Sequence, residues 1–176
     1  MDHLVIISGC SGSGKSTLLQ EMAHRGYAVV EEPGRRIIAE EREGQGRALP
    51  WVNLAAFAER AVELSLEDRA RAKDLQGPVF FDRGLIDAAA ALEFATGRPM
   101  LQKFAAERFN ALVFMTPPWP EIYVMDADRR HGLEEATKEY DRLLAAYSAL
   151  DYNVQLLPQA PVAERADLIA GALGLT

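Results

Sequence analysis

With a single cysteine, Cys10, this 176-residue sequence cannot form an internal disulfide, and the expectation is a reducing compartment, the cytoplasm. It also lacks long hydrophobic runs. No stretch approaches the roughly eighteen apolar residues of a membrane span, and the N-terminal residues carry neither the basic segment nor the apolar length of a secretory leader. A soluble protein with no membrane partner is therefore expected. Positive charge is in short supply as well: 19 Lys and Arg stand against 26 Asp and Glu, a net charge of −7. The arginines are interleaved with acids, as at Glu41, Arg42 and Glu43 or across residues 126–130. A nucleic-acid binder needs a basic patch able to displace phosphate counterions, so this pattern argues against a nucleic-acid partner and for a small anionic ligand.

What is present is a globular sequence. A hydrophobic content of 49% is enough to exclude a disordered chain. There is no internal repeat, low-complexity tract or linker, so residues 1–176 are read as one domain. Short apolar runs at Leu4–Ser8, Tyr27–Val30, Val79–Phe81, Ala111–Met115 and Val154–Leu157 read as buried strands. Between and after them, helical spacing of apolar residues predicts helices over Ser16–Arg25, Arg35–Arg42, Trp51–Leu75, Ile86–Ala95, Met100–Phe109, Glu134–Leu150 and Val162–Leu173. Alternation of this kind predicts one doubly wound, three-layer α/β fold: a five-stranded parallel sheet with helices on both faces.

The chemistry starts at the end of the first strand. Gly9, Cys10, Ser11, Gly12, Ser13, Gly14, Lys15 and Ser16 match G-x-x-x-x-G-K-[ST], and Thr17 follows. Phosphate oxygens are best held by several convergent backbone N–H groups, which only a tightly wrapped loop supplies. Gly9, Gly12 and Gly14 permit the required backbone angles, and the helix behind the loop adds its N-terminal dipole. The expected ligand is ATP with Mg2+. Lys15 places charge on the β- and γ-phosphates, Ser16 offers its hydroxyl to the metal, and Thr17 reaches the α-phosphate. Cys10 occupies a variable position, where a small residue is tolerated.

Two further strands end in acids on the ligand side of an open parallel sheet: Glu31 and Glu32 before Pro33, and Asp82 before Arg83 and Gly84. Asp82 follows a buried strand as a Walker B acid does, and is expected to serve the metal or its waters. An acid after the second strand can accept a proton from a substrate hydroxyl; Glu32 is the candidate, with Glu31 beside it as the alternative.

Taken in order, the P-loop, the Glu-Pro after strand two, the Asp-Arg after strand three and an arginine-bearing segment after strand four resemble P-loop kinases of the nucleoside and nucleotide kinase group. The chain is similar in particular to predicted ATPases near the kinase domain of ribosylnicotinamide kinases. The resemblance implies that Glu32 is the general base and that Asp82 and Arg83 are a metal-linked acid and its phosphate-contacting partner. The chain departs from deoxynucleoside kinases in having Asp-Arg-Gly where they carry Glu-Arg-Ser, and in lacking a tryptophan after Glu-Pro. The resemblance also makes residues 117–135 a lid whose arginines, Arg129 and Arg130, close over the transferring phosphate, with His131 a surface or capping residue. Arg142 is a further candidate for the phosphates, whereas Glu134, Glu135, Lys138 and Glu139 read as ordinary helix-surface pairing.

The acceptor side is expected at residues 33–60, with Arg35, Arg36, Phe57 and Arg60 as candidate wall residues; Trp51 and Phe57 also fit a plain core role. Residues 155–162, after strand five, fall where adenine packs in related folds. The function expected is ATP-dependent phosphoryl transfer to a small nucleoside- or nucleotide-like acceptor. The alternatives are an ATP-hydrolysing switch acting on a partner protein and a nucleic-acid end kinase.

Overall fold

The computed structural model describes residues 2–123 and 132–175. Five strands, β1 (Leu4–Gly9), β2 (Ala28–Val30), β3 (Val79–Asp82), β4 (Leu112–Thr116) and β5 (Asn153–Leu156), form one sheet in the order β2-β3-β1-β4-β5. All neighbours pair in parallel. The helices are α1 (Lys15–His24), α2 (Pro33–Glu43), α3 (Leu54–Ala72), α4 (Leu85–Thr96), α5 (Leu133–Ala149) and α6 (Val162–Ala172).

The period-2 pattern of the strands sorts the core into two layers. Leu4, Ile6, Phe81, Val113 and Met115 pack under α3, α4 and α5. Val5, Ile7, Phe80 and Phe114 point the other way, onto Leu18, Leu19 and Met22 of α1 and Ala166 and Ile169 of α6. Each fully buried Ile or Phe contributes about 1.5–3 kcal/mol to this double core. Apolar residues at every position, rather than at alternate ones, mark strands covered on both faces.

β1 is the topological switch point: the chain leaves it for β2 on one side of the sheet and later returns to place β4 on the other. The crevice so created lies beyond the carboxyl end of β1, where the glycine-rich loop begins. Ile7 of β1 pairs with Asp82 of β3, and Gly9 of β1 with Thr116 of β4, so three strand ends converge there.

Two predicted helices are shorter than expected. The one anticipated from Trp51 starts at Leu54, because the side chain of Asn53 accepts the Ala56 N–H at 3.0 Å and caps it. The one anticipated over Met100–Phe109 is a single 3-10 turn at Leu101–Phe104. There Glu93 takes the N–H groups of Met100 and Leu101 (2.7 and 3.1 Å), and Phe109 is drawn into the core against Phe81.

Candidate active site

Gly9 and Gly12 are required where they stand. At Gly9 the backbone has φ +134°, and a Cβ would lie 2.3 Å from the Thr116 carbonyl oxygen. At Gly12 φ is +78°, and a Cβ would lie 2.7 Å from the Tyr123 ring. The loop is fastened from inside: the Cys10 N–H donates to Thr116 O at 2.9 Å, and Ser13 Oγ lies 2.6 Å from both Cys10 O and Thr116 Oγ1. Cys10 therefore spends its amide on the scaffold instead of offering it to a phosphate. Its thiol is buried, and burial, reinforced by Glu139 and opposed by Arg83, pushes its pKa up to about 11. A thiol held in that form is a packing group.

Lys15 lies in the first turn of α1 and is buried, with Nζ in contact with the carboxylate of Asp82, itself buried at the end of β3. Ser16 Oγ accepts a hydrogen bond from Arg35 at 2.8 Å. Thr17 is exposed at the outer edge of the same turn.

The two acids after β2 separate cleanly. Glu31 is exposed and faces a shallow surface hollow with Val29, Val30, Arg36 and Asp68. Glu32 faces the cleft: its carboxylate meets Arg35 at 3.2 Å and Arg83 at 3.5 Å. Burial works to raise its pKa, but Lys15, Arg83 and Arg35 outweigh this and hold it below the ordinary value, so it is an ionised carboxylate at neutral pH.

Arg83 adopts a left-handed backbone, φ +62°, costly for a side-chain-bearing residue and held here by its contacts. Its guanidinium bonds Glu139 at 2.5 Å and the carbonyl of Gly9 at 3.2 Å. Burial alone would ease its proton off; Glu139, Glu32 and Asp87 reverse this and raise the pKa. Glu139, expected to pair along the surface of its own helix, is instead the anchor of Arg83. The surface pairing goes to Lys138 and Glu134, at 2.7 Å.

Beyond Glu32 and Arg83 opens a cavity of about 530 Å³ walled by α2, α3, α4 and α5. Trp51 and Phe57, which also fitted a core reading, line it, as do Ala88, Ala91 and Tyr123. Arg35 reaches it as anticipated. Arg36 and Arg60 do not: Arg36 is paired with the buried Asp68, and Arg60 with Glu63 and Glu40 on the outer side of α3. Arg142 lines the cavity with its guanidinium 3.9 Å from the centre of the Phe94 ring.

One cavity residue went unread in the sequence. Asp87, in the first turn of α4, is buried and receives hydrogen bonds from Ser8 Oγ, Tyr147 Oη and, at 2.9 Å, Gly84 N–H. Burial raises its pKa, against the pull of Arg83. It ties β1, α4 and α5 together directly under the loop. An acid three residues into a helix looks like any N-terminal cap, so only the fold reveals it. The predicted lid residues Arg129, Arg130 and His131 lie outside the described residues.

A family model described as an AAA domain matches residues 4–165, and the chain belongs to that family. No curated protein sequence matches it. Among solved structures, the chain is similar to deoxyadenosine kinase from M. mycoides with bound dATP, at 17% identity and a TM-score of 0.67, covering 97% of this chain and 99% of that one. It is also similar to the NadR protein in complex with NR, at 18% identity and a TM-score of 0.70, covering 99% of this chain and 52% of that one. At such identities these likenesses establish the fold, a parallel-sheet P-loop architecture, and nothing finer.

Proposed function

We propose that this AAA-domain chain is a small-molecule kinase, transferring the γ-phosphoryl group of ATP to a hydroxyl of a nucleoside- or nucleotide-like acceptor. The observation that carries the reading is the placement of Glu32. It is an ionised carboxylate, flanked by two arginines, at the junction between the phosphate loop and an aromatic-walled cavity of about 530 Å³. A switch that only hydrolyses ATP has no use for such a cavity. The bound dATP of the deoxyadenosine kinase and the NR of the NadR protein are ligands of the same general class.

In this reading the loop amides hold the triphosphate, and Lys15 turns from Asp82 toward the β- and γ-phosphates. The acceptor lies against Trp51 and Phe57 with its hydroxyl at Glu32, which takes the proton as the oxygen attacks the γ-phosphorus and the bond from that phosphorus to the bridging oxygen of ADP breaks. Arg83, fixed by Glu139, faces the negative charge that develops there. Residues 33–60 form the acceptor side; Arg129 and Arg130, the lid candidates for the phosphates, lie outside the described residues. The donor set for magnesium is the Ser16 hydroxyl and the Asp82 carboxylate. A hard-oxygen pair of this kind, completed by phosphates and waters, fits that ion. When bound, magnesium would neutralise negative charge on the phosphates.

The test is ADP release in the presence of ATP and magnesium, with a panel of nucleosides, nucleotides and pyridine ribosides. Release that depends on one class of acceptor is the expected result. Release indifferent to every acceptor would favour the ATPase switch, and salt-sensitive binding of oligonucleotides the nucleic-acid end kinase.

A further inference from the structure

One buried cation near the phosphate loop has no part in the reading above. Arg165, on α6, is 4% exposed. Its guanidinium reaches the carbonyl oxygens of Ser13 at 3.3 Å and Gly14 at 3.5 Å, and its carbon lies 5.4 Å from the centre of the Trp119 ring. Its Nε is buried, with no hydrogen-bond partner among the described residues. No carboxylate among the described residues pairs with it, and burial alone pushes its pKa down. A guanidinium in that position is a cost to the fold, because its charge is stripped of water and, among the described residues, is met only by two long contacts to carbonyls and by a ring.

The direction of those carbonyls gives the cost a purpose. In a trans peptide the C=O and the following N–H point to opposite sides of the chain. Gripping Ser13 O and Gly14 O from outside therefore aims the N–H groups of Gly14 and Lys15 inward, into the hollow of the loop. The grip is close enough that a Cβ at Gly14 would lie 3.1 Å from the guanidinium. Gly14 has a left-handed backbone, φ +75°, and is the residue on which the loop turns into α1. We propose that Arg165 is a positioning residue for the donor nucleotide: it braces the phosphate loop from its carbonyl side, and its uncompensated charge is offset when a polyphosphate fills the amide side.

Arg165 lies on the carbonyl side of the loop, opposite the amides that would meet a phosphate. It acts through two peptide planes, so its effect appears in nucleotide affinity and not in handling of the acceptor. The inference rests on the nucleotide-binding half of the proposed function and is independent of the phosphoryl-transfer half.

The experiment is calorimetric titration of ATP with magnesium into the wild-type chain, Arg165→Met and Arg165→Lys, together with the melting temperature of each without ligand. Arg165→Met removes a buried unpaired charge while keeping much of the bulk. The expected result is a dissociation constant for ATP weakened about tenfold or more, an unliganded melting temperature no lower than wild type, and an intermediate affinity for Arg165→Lys. A smaller change in affinity overturns the proposal. So does weakening accompanied by a fall in the unliganded melting temperature, which would assign Arg165 to holding α6 in place. If Arg165→Met does not fold, Arg165→Lys decides: affinity weakened severalfold supports the brace, and wild-type affinity overturns it. A wild-type chain that takes up ATP but phosphorylates no acceptor leaves this inference standing and removes only the kinase reading. Failure of the wild type to bind ATP removes both.

Discussion

In the proposed function the cleft has a donor side and an acceptor side, and the two are built on different principles. The donor side is local: nine consecutive residues, Gly9 to Thr17, carry the loop, the lysine and the hydroxyl, with Asp82 brought in by the neighbouring strand. Its dihedrals are enforced by glycines that no other residue can replace without collision. The acceptor side is assembled from four helices and the turn that holds Trp51, and its contributions, from Pro33 to Leu143, are scattered across more than half the chain. Backbone geometry defines the first and side-chain identity the second. A P-loop can therefore be kept while the acceptor wall changes around it, and mutations on the two sides should divide accordingly between chemistry and acceptor affinity.

The division is broken most directly at Lys15. Lys15→Ala removes the cation intended for the β- and γ-phosphates and strands Asp82 as a buried, unpaired carboxylate. Turnover is expected to fall by about a thousandfold or more. Steady-state ADP release from material with a wild-type circular dichroism spectrum checks this, and rates near wild type would exclude Lys15 from the chemistry.

Glu32 sits on the boundary between the two sides and should behave as neither alone. Glu32→Gln keeps the shape and loses the base, so kcat is expected to fall by about a hundredfold with the KM for ATP unchanged. A large loss of ATP affinity would instead make Glu32 part of the metal or phosphate site. The pH dependence has a definite sign. A carboxylate held below its ordinary value by Lys15, Arg83 and Arg35 stays ionised as pH falls from neutrality, so the acidic limb attributable to Glu32 lies below the usual carboxylate range. Stability drawn from its pairing follows the same sense: present above the unfolded pKa and lost as pH falls through the folded one. An acidic limb in kcat near pH 6 would assign it to another group.

The same contrast explains how much was legible beforehand. The five strands and the loop were readable because their signals are contiguous: β-branched and aromatic runs that end in glycine or acid. Roles set by contacts across the fold were not. Glu139 carries the same local pattern as Glu134 and Glu135, yet only it meets Arg83. Arg35 and Arg36 are adjacent, but a 100° helical step sends one to Glu32 and the other to Asp68. Glu31 and Glu32 part company for a related reason: the chain turns from β2 into α2 between them and Pro33. Trp51 and Phe57 look like core residues because aromatic side chains at such spacing serve a cavity wall and a core equally well. Nothing in the local sequence of Asp87 or Arg165 shows that α4 and α6 carry them under the phosphate loop.

On the acceptor side the expected effects are smaller and of another kind. Phe57 lines the cavity and packs over Gly34, where a Cβ would stand 3.0 Å from its ring. Phe57→Ala should raise the KM for the acceptor by about tenfold while leaving the KM for ATP unchanged, because it removes contact area from one substrate only. Equal weakening of both would show that the wall also shapes the loop, and the two sides would then be one unit.

The sharpest test of where the acceptor wall ends is a mutation expected to do nothing. Arg60 lies one helical turn from Phe57 and carries a charge suited to an anionic acceptor, which made it a natural candidate. The fold turns it outward, to Glu63 at 3.1 Å and Glu40 at 4.0 Å, on a half-exposed surface. Exposed pairs of this type contribute about 0–1 kcal/mol, so Arg60→Ala should leave the acceptor KM within about twofold and the melting temperature nearly unmoved. A tenfold rise in acceptor KM would mean that the substrate extends past Phe57 along α3 and draws Arg60 from its carboxylates. The wall would then be defined by the ligand rather than by the fold alone, and the separation between a fixed donor side and a side-chain-defined acceptor side would have to be redrawn at that helix.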